Sequence, residues 1–233
     1  MSSYEWRIHH PEGRRRVVVT KELPGQRWLD ILTAADCRVE ICTSPDVLPT
    51  EAILEAIGGT CDAAIGQLTE PWGEKLFRAL HQAGGRVYSN YAVGFNNVDV
   101  EAATRLGMPV GNTPGVLTDT TAEMAVTLTF AAARRIGEAE RYLRAGQYKG
   151  WLPTLFLGEL LIGKTVGIIG AGRIGATYAR MMAEGHKMNV IYYDLYPNDE
   201  LEGYLAAYSN FLTSRGHAAL TCRRAGSTCG AFG

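Results

Sequence analysis

Residues 164–194 read KTVGIIGAGRIGATYARMMAEGHKMNVIYYD, and this stretch decides the fold. Residues 166–169 form a short apolar run with the character of a buried strand. Gly170, Gly172 and Gly175 then fill G-x-G-x-x-G, and residues 173–184 carry helical spacing. A second apolar run, residues 189–193, ends on Asp194, about 20 residues beyond the glycines. Each part suits a dinucleotide site. Gly170 permits the tight turn from strand to helix, Gly172 leaves a pyrophosphate room, and Gly175 lets the helix lie close on the strand. Phosphates would sit at the helix N-terminus, where free N–H groups and the macrodipole favour negative charge. Asp194 can accept hydrogen bonds from both ribose hydroxyls and would repel a 2′-phosphate, which points to NAD. The alternative is a Rossmann-like unit holding another adenosyl ligand, such as a methyltransferase cofactor.

Working outward, residues 150–161 (GWLPTLFLGELL) are apolar but too interrupted by proline for one clean helix. After Asp194, residues 199–211 read as one more helix, with Leu201, Tyr204, Leu205, Tyr208 and Phe211 spaced for burial. From Thr213 the composition changes. Residues 214–233 hold three arginines and no acid, and only 218–220 has strand character, so 213–233 is expected to be a poorly ordered tail.

The first 112 residues alternate strand and helix signals. Strands are expected at 16–20, 38–42, 63–66, 87–90 and 108–111. Helices are expected at 26–35, 49–57, 71–83 and 98–106, the third with Trp72, Leu76, Phe77 and Leu80 on one face. That order implies a parallel sheet covered on both faces. Thr120 and Glu123 then form a T-x-x-E capping box opening a long helix, expected to run to Ala145 and stop at Gly146. This helix is expected to bridge two domains.

A net charge of -1 gives no reason to expect a nucleic-acid partner or a membrane surface. No apolar run approaches the roughly 18 residues of a membrane span. The five cysteines show no C-x-x-C or zinc spacing, so no metal site is expected and the thiols read as reduced.

The run GAGRIGATYARMMAEGHKMNVIYYDLY, with GWLPTLFLGELLIGKTVGIIG before it, resembles the cofactor segment of D-2-hydroxyacid dehydrogenases. The likeness extends back through NTPGVLTDTTAE and YAVGFNNVDVEAA to AAIGQLTEPWGE and CRVEIC, covering residues 5–212. The resemblance implies an α/β protein with a flavodoxin-like substrate domain over 5–118 and a bridging helical region over 119–150. An incomplete, doubly wound NAD-binding Rossmann domain would follow over 151–212. It implies NADH-dependent reduction of a small 2-oxoacid, hydroxypyruvate or glyoxylate, by a homodimer.

Position by position, Val93 and Gly94 would hold the substrate carboxylate through backbone N–H groups. Arg173 and Ile174 would meet the cofactor phosphates, and Asp194 the adenine ribose. Asn96 and Asp99 have an equal claim as turn and helix-cap residues. His186 stands where the family usually has Phe and reads as a packing residue. The family's catalytic Arg, Glu and His have no counterpart here, so no catalytic residue is assigned. Two readings stay open: a hydroxypyruvate reductase by descent, inactive in this form, or a non-catalytic module that binds NAD, adenosine or a protein. The hydroxypyruvate-reducing branch is peroxisomal in plants, yet the chain ends Ala-Phe-Gly without its targeting tripeptide, which leaves the cytoplasm open.

Overall fold

The computed structural model describes residues 4–206 and the backbone of 211–215, 223–224 and 227–228. It divides into two compact units, Met1–Pro114 and Gly115–Gly233.

The first unit is a six-stranded sheet. Its strands are β1 (Trp6–His9), β2 (Arg15–Val19), β3 (Cys37–Cys42), β4 (Ala63–Gln67), β5 (Val87–Tyr91) and β6 (Val110–Gly111), in the order β1-β3-β2-β4-β5-β6. The last five are parallel to one another, and β1 pairs antiparallel with β3 at the edge. Without β1, the parallel strands run in the order 2-1-3-4-5, the flavodoxin-like arrangement. The helices are α1 (Arg27–Ala34), α2 (Thr50–Ile57), α3 (Glu74–Gln82) and α4 (Val100–Arg105).

Alternation along the strands sorts the core into two layers. Val18, Cys42, Ala64 and Tyr88 pack with Ile53, Ile57, Leu76, Phe77, Leu80 and Ala103 from α2, α3 and α4. Val17, Val19, Val39 and Ile41 face the other way, against Leu29 of α1. One face therefore receives three helices and the other one. Both faces carry helices, as the order of elements implied, but unequally. Over β4 and β5 an open apolar groove of about 590 Å³ lies between Ile65, Ser89 and Tyr91 on the sheet and Trp28, Ile31 and Leu32 on α1.

Arg16 ties the sheet to α2. Its guanidinium donates to the carbonyls of Ala56 (2.7 Å), Ile57 (2.8 Å) and Thr60 (2.7 Å), and it pairs with Glu40 at 2.5 Å. Carbonyls at and just past the helix end, which lack intrahelical donors, are thereby satisfied. Trp72 lies outside α3, whose N-cap is Gly73, so the expected helix start at 71 is corrected. It is buried nonetheless, because its backbone pairs with the loop at Asn97 and Asp99 and its ring stacks on Tyr88, centroids 3.8 Å apart.

The second unit holds α5 (Thr118–Ala133), α6 (Ile136–Arg144), β7 (Thr165–Ile169), α7 (Arg173–His186), β8 (Asn189–Asp194), α8 (Asp199–Ala206) and β9 (Phe211–Arg215). The single long helix expected from Thr120 to Ala145 is two helices. Arg135 adopts a left-handed conformation (φ 56°), and the last carbonyl of α5, at Ala133, accepts from Glu159 N at 2.9 Å. A tertiary contact thus ends α5 where no glycine or proline marks a stop. The expected capping box fails too: Thr120 and Glu123 lie inside α5, whose N-cap is Leu117. Helix α5 groups with this unit, its Thr129 Oγ1 2.8 Å from the Tyr178 hydroxyl of α7.

Strands β7, β8 and β9 are parallel in that order. This is the first mononucleotide half of a doubly wound sheet. Ala176, Ala179 and Ala183 form the small-residue face on which α7 lies against Ile168, Val190 and Tyr192. The helix expected over 199–211 ends at Ala206, and Phe211 belongs to β9; Tyr208 lies outside the described residues. The expected tail at 213 likewise begins inside β9, while the strand signal at 218–220 lies outside the described residues. Two further short strands, β10 (Arg223–Arg224) and β11 (Ser227–Thr228), pair antiparallel.

Candidate functional site

The glycine turn joins β7 to α7. Gly170 has φ +94°, a conformation strained for any residue with a Cβ, and its N–H donates to Tyr193 O at 2.8 Å. Gly172 is the N-cap of α7, with no side-chain cap and nothing within 4 Å of where a Cβ would stand. The first N–H groups of this 14-residue helix are therefore left without a side-chain cap. At Gly175 a Cβ would collide with the Gly170 carbonyl, so only glycine lets α7 start this close to the strand.

Asp194 closes the turn from the end of β8. Its Oδ2 accepts from Ala171 N at 2.6 Å and its Oδ1 from Tyr196 N at 3.3 Å. Backbone donors at Tyr196, Ala171 and Leu195 hold its carboxyl below the usual carboxylate range, so it is ionised at neutral pH. Asn198, which the sequence did not single out, donates to Ala171 O at 2.6 Å and caps α8 through Leu201 N at 2.9 Å. The Ala171 residue is therefore gripped at both its N–H and its carbonyl. Gly170, Gly172, Gly175 and Asp194 come together as the spacing required, with Arg173 exposed and Ile174 half-buried in the first turn.

In the first unit, Val93 and Gly94 sit in the loop after β5. Val93 is half-buried and Gly94 exposed. Their carbonyls accept from Asn112 Nδ2 (2.9 Å) and Asn90 Nδ2 (3.0 Å), while their N–H groups make no hydrogen bond among the described residues. Asp99 accepts from Ala102 N at 2.9 Å, the helix-cap role of the two weighed for it, and Asn96 is exposed in the turn before it. His186 packs on Phe130, ring centroids 4.4 Å apart, in keeping with a packing residue.

Behind this loop lies a buried carboxyl that the sequence also did not single out. Glu70 is fully buried, and its Oε2 accepts from Thr20 Oγ1 (2.9 Å), Gln67 N (3.0 Å) and Trp72 Nε1 (3.3 Å), while Oε1 has no partner. Burial pushes its pKa up despite these donors. A raised folded value means that the folded state holds the proton more tightly. Its stabilising effect is full below the ordinary carboxylate range and is lost as pH rises toward the folded value. Glu70→Gln should therefore raise the melting temperature at neutral pH, with the gain shrinking as pH falls into the carboxylate range. A gain that is constant with pH would rule out this titration.

A flavodoxin-like unit followed by a Rossmann half carrying this turn defines an α/β dinucleotide-dependent class of protein. The chain belongs to the D-isomer specific 2-hydroxyacid dehydrogenase family, whose catalytic-domain description matches residues 17–228. It is 60% identical over 221 residues to a glycerate dehydrogenase of Cucumis sativus, covering 94% of this chain and 58% of the relative. It is 58% identical over 221 residues to a peroxisomal glycerate dehydrogenase of Arabidopsis thaliana, covering 94% and 57%. Among solved structures, the TT0316 protein of Thermus thermophilus aligns with a TM-score of 0.73 at 37% identity, over 78% of this chain and 57% of that one. The chain thus spans 57–58% of the length of the plant relatives it matches.

Proposed function

We propose that this chain carries the nucleotide-binding and carboxylate-binding parts of an NAD(H)-dependent reductase of hydroxypyruvate or glyoxylate, yielding glycerate or glycolate. The glycine turn with ionised Asp194 bonded into it carries the reading. The 60% identity to a glycerate dehydrogenase over 94% of this chain supports the substrate class. NADH, when bound, supplies the hydride. The free N–H groups at the start of α7 meet its pyrophosphate, with Arg173 and Ile174 beside them, and the open space at Gly172 fits that group. Asp194 takes the adenine ribose, and the N–H groups of Val93 and Gly94 take the substrate carboxylate.

We further propose that the family form is a homodimer and works in the peroxisome. An exposed apolar groove of about 440 Å³ lined by Tyr142, Leu143, Trp151, Leu152 and Phe156 supports the first. The name of the Arabidopsis relative supports the second. No helix among the described residues is long and apolar enough to cross a membrane. The alternative, a module that binds without turnover, is favoured by the histidines. His9 is on the far edge strand β1 and His10 just after it; His81 is in the last turn of α3, which leads into the opposite end of β5 from the Val93 loop.

Titration with NADH and NADPH tests the cofactor assignment. NADH should bind at least about tenfold tighter, since the Asp194 charge faces the site of a 2′-phosphate. Asp194→Asn, which keeps the shape and removes the charge, should narrow the gap. Equal affinity for the two in the unaltered chain would sink the NAD assignment.

A further inference from the structure

In a trans peptide the C=O of one residue and the N–H of the next point in opposite directions. No cis peptide occurs among the described residues, so whatever holds a carbonyl aims the N–H that follows it. Ala92 O accepts from Thr113 N at 2.9 Å, which sets the N–H of Val93. Val93 O accepts from Asn112 Nδ2 at 2.9 Å, which sets the N–H of Gly94. Gly94 O accepts from Asn90 Nδ2 at 3.0 Å, which fixes the far side of the same residue. Three successive peptide planes are held from outside the loop, and the second and third depend on asparagine side chains.

These asparagines differ in how firmly they are set. Asn90 is fully buried; its Oδ1 accepts from the Tyr88 hydroxyl at 2.9 Å, and it exchanges side-chain hydrogen bonds with Asn97, each 3.1 Å. Asn97 is anchored in turn on the carbonyls of Gln67 (3.1 Å) and Glu70 (3.0 Å). Asn112 directly follows β6 and reaches Val93 across the exposed side of the loop. Gly94 has no side chain to restrain its backbone, and nothing lies within 4 Å of where a Cβ would stand. Without Asn112, its N–H direction is set by no contact of its own. Donation to the Val93 carbonyl also polarises that peptide and strengthens the N–H on its other end as a donor.

Resting on the carboxylate role given above to Val93 and Gly94, we propose that Asn112 is the positioning residue of this loop. It aims the Gly94 N–H at the anion, and Asn90 backs it by holding the next plane. Neither touches the reacting atoms. The pair converts a flexible glycine loop into a preset anion site, so that little ordering remains to be done when the anion binds.

Amide-resolved NMR of the whole chain, titrated with hydroxypyruvate and separately with its uncharged analogue dihydroxyacetone, tests this. The Val93 and Gly94 amide signals should move with hydroxypyruvate alone, and the Asn112 side-chain amide should move with them. Asn112→Ala, at an exposed contact, should keep the other signals in place and the melting temperature unchanged while weakening the anion by about tenfold. Unchanged affinity in Asn112→Ala overturns the positioning role and leaves the carboxylate reading standing. If that variant loses its fold, an Asn112 side-chain signal that stays still while Gly94 shifts overturns the role in the unaltered chain. Val93 and Gly94 signals that ignore hydroxypyruvate, or answer dihydroxyacetone equally, overturn the carboxylate reading and this role with it.

Discussion

Residues 1–233, purified free of host reductases and mixed with NADH and hydroxypyruvate, should oxidise no measurable NADH. Hydride transfer to a 2-oxoacid leaves negative charge on the carbonyl oxygen, which must be stabilised and protonated as it forms. A positioned general acid is typically worth about 10²–10⁴-fold. Losing an electrostatic stabiliser typically costs about 10²–10³-fold. Among the described residues, no histidine or arginine side chain is hydrogen-bonded into the loop that carries Val93 and Gly94. Phe130 occupies His186, and His9, His10 and His81 sit on the far edge or at the wrong end of the sheet. Glu70, a buried acid, already has three donors on one oxygen and serves the scaffold. Turnover at the rate of an ordinary dehydrogenase, abolished by Gly172→Asp, would show that a proton donor has been overlooked.

What was legible in the sequence is what backbone geometry demands of particular residue types. Gly170 needs its left-handed φ and Gly175 its missing Cβ, so the turn could be placed from the glycines alone. The parallel strands of the first unit were legible because Val17–Val19 and their neighbours are apolar runs bounded by turns. Strand β1 was not, since WRIH is a strand only through its pairing with β3. The break at Arg135 was hidden for a related reason: a contact from Glu159 ends α5, with no local signal. Trp72 fitted a helical face by spacing, yet its burial comes from pairing with the loop at 97–99. Of the site residues missed, Glu70, Asn198 and Asn112 bond to Thr20, Ala171 and Val93, far off in sequence, while Asn90 bonds within its own loop. Glu70 in TEPWG carries no signal of its own, Asn90 ends the strand expected at 87–90, Asn112 follows the strand expected at 108–111, and Asn198 precedes the helix expected at 199. Only the fold brings their side chains onto specific carbonyls and amides.

Gly175→Ala and Gly172→Asp should separate the two things that the glycine turn does. At Gly175 the added carbon meets the Gly170 carbonyl, which is backbone and cannot swing aside. The start of α7 must then lift from β7, disturbing the layer where Ala176 and Ala179 pack on Ile168 and Val190. Overpacking of this kind costs roughly 1–3 kcal/mol. The variant should melt the second unit at lower temperature and lose dinucleotide binding with it, while the first unit, with its separate core, keeps its own transition. At Gly172 the backbone is already compatible with any residue (φ −68°), and the position is an uncapped N-cap in open space. Aspartate is a favoured cap and carries the charge that the helix N-terminus prefers, so stability should hold or rise by a few tenths of a kcal/mol. The same carboxylate would stand where the pyrophosphate belongs. Binding of NADH or ADP-ribose should therefore fall by at least about a hundredfold, near 2.7 kcal/mol, in a chain that folds normally. Thermal melting read beside a nucleotide titration distinguishes the cases. An unchanged melt for Gly175→Ala would refute the close approach, and unchanged affinity for Gly172→Asp would move the phosphates away from this turn.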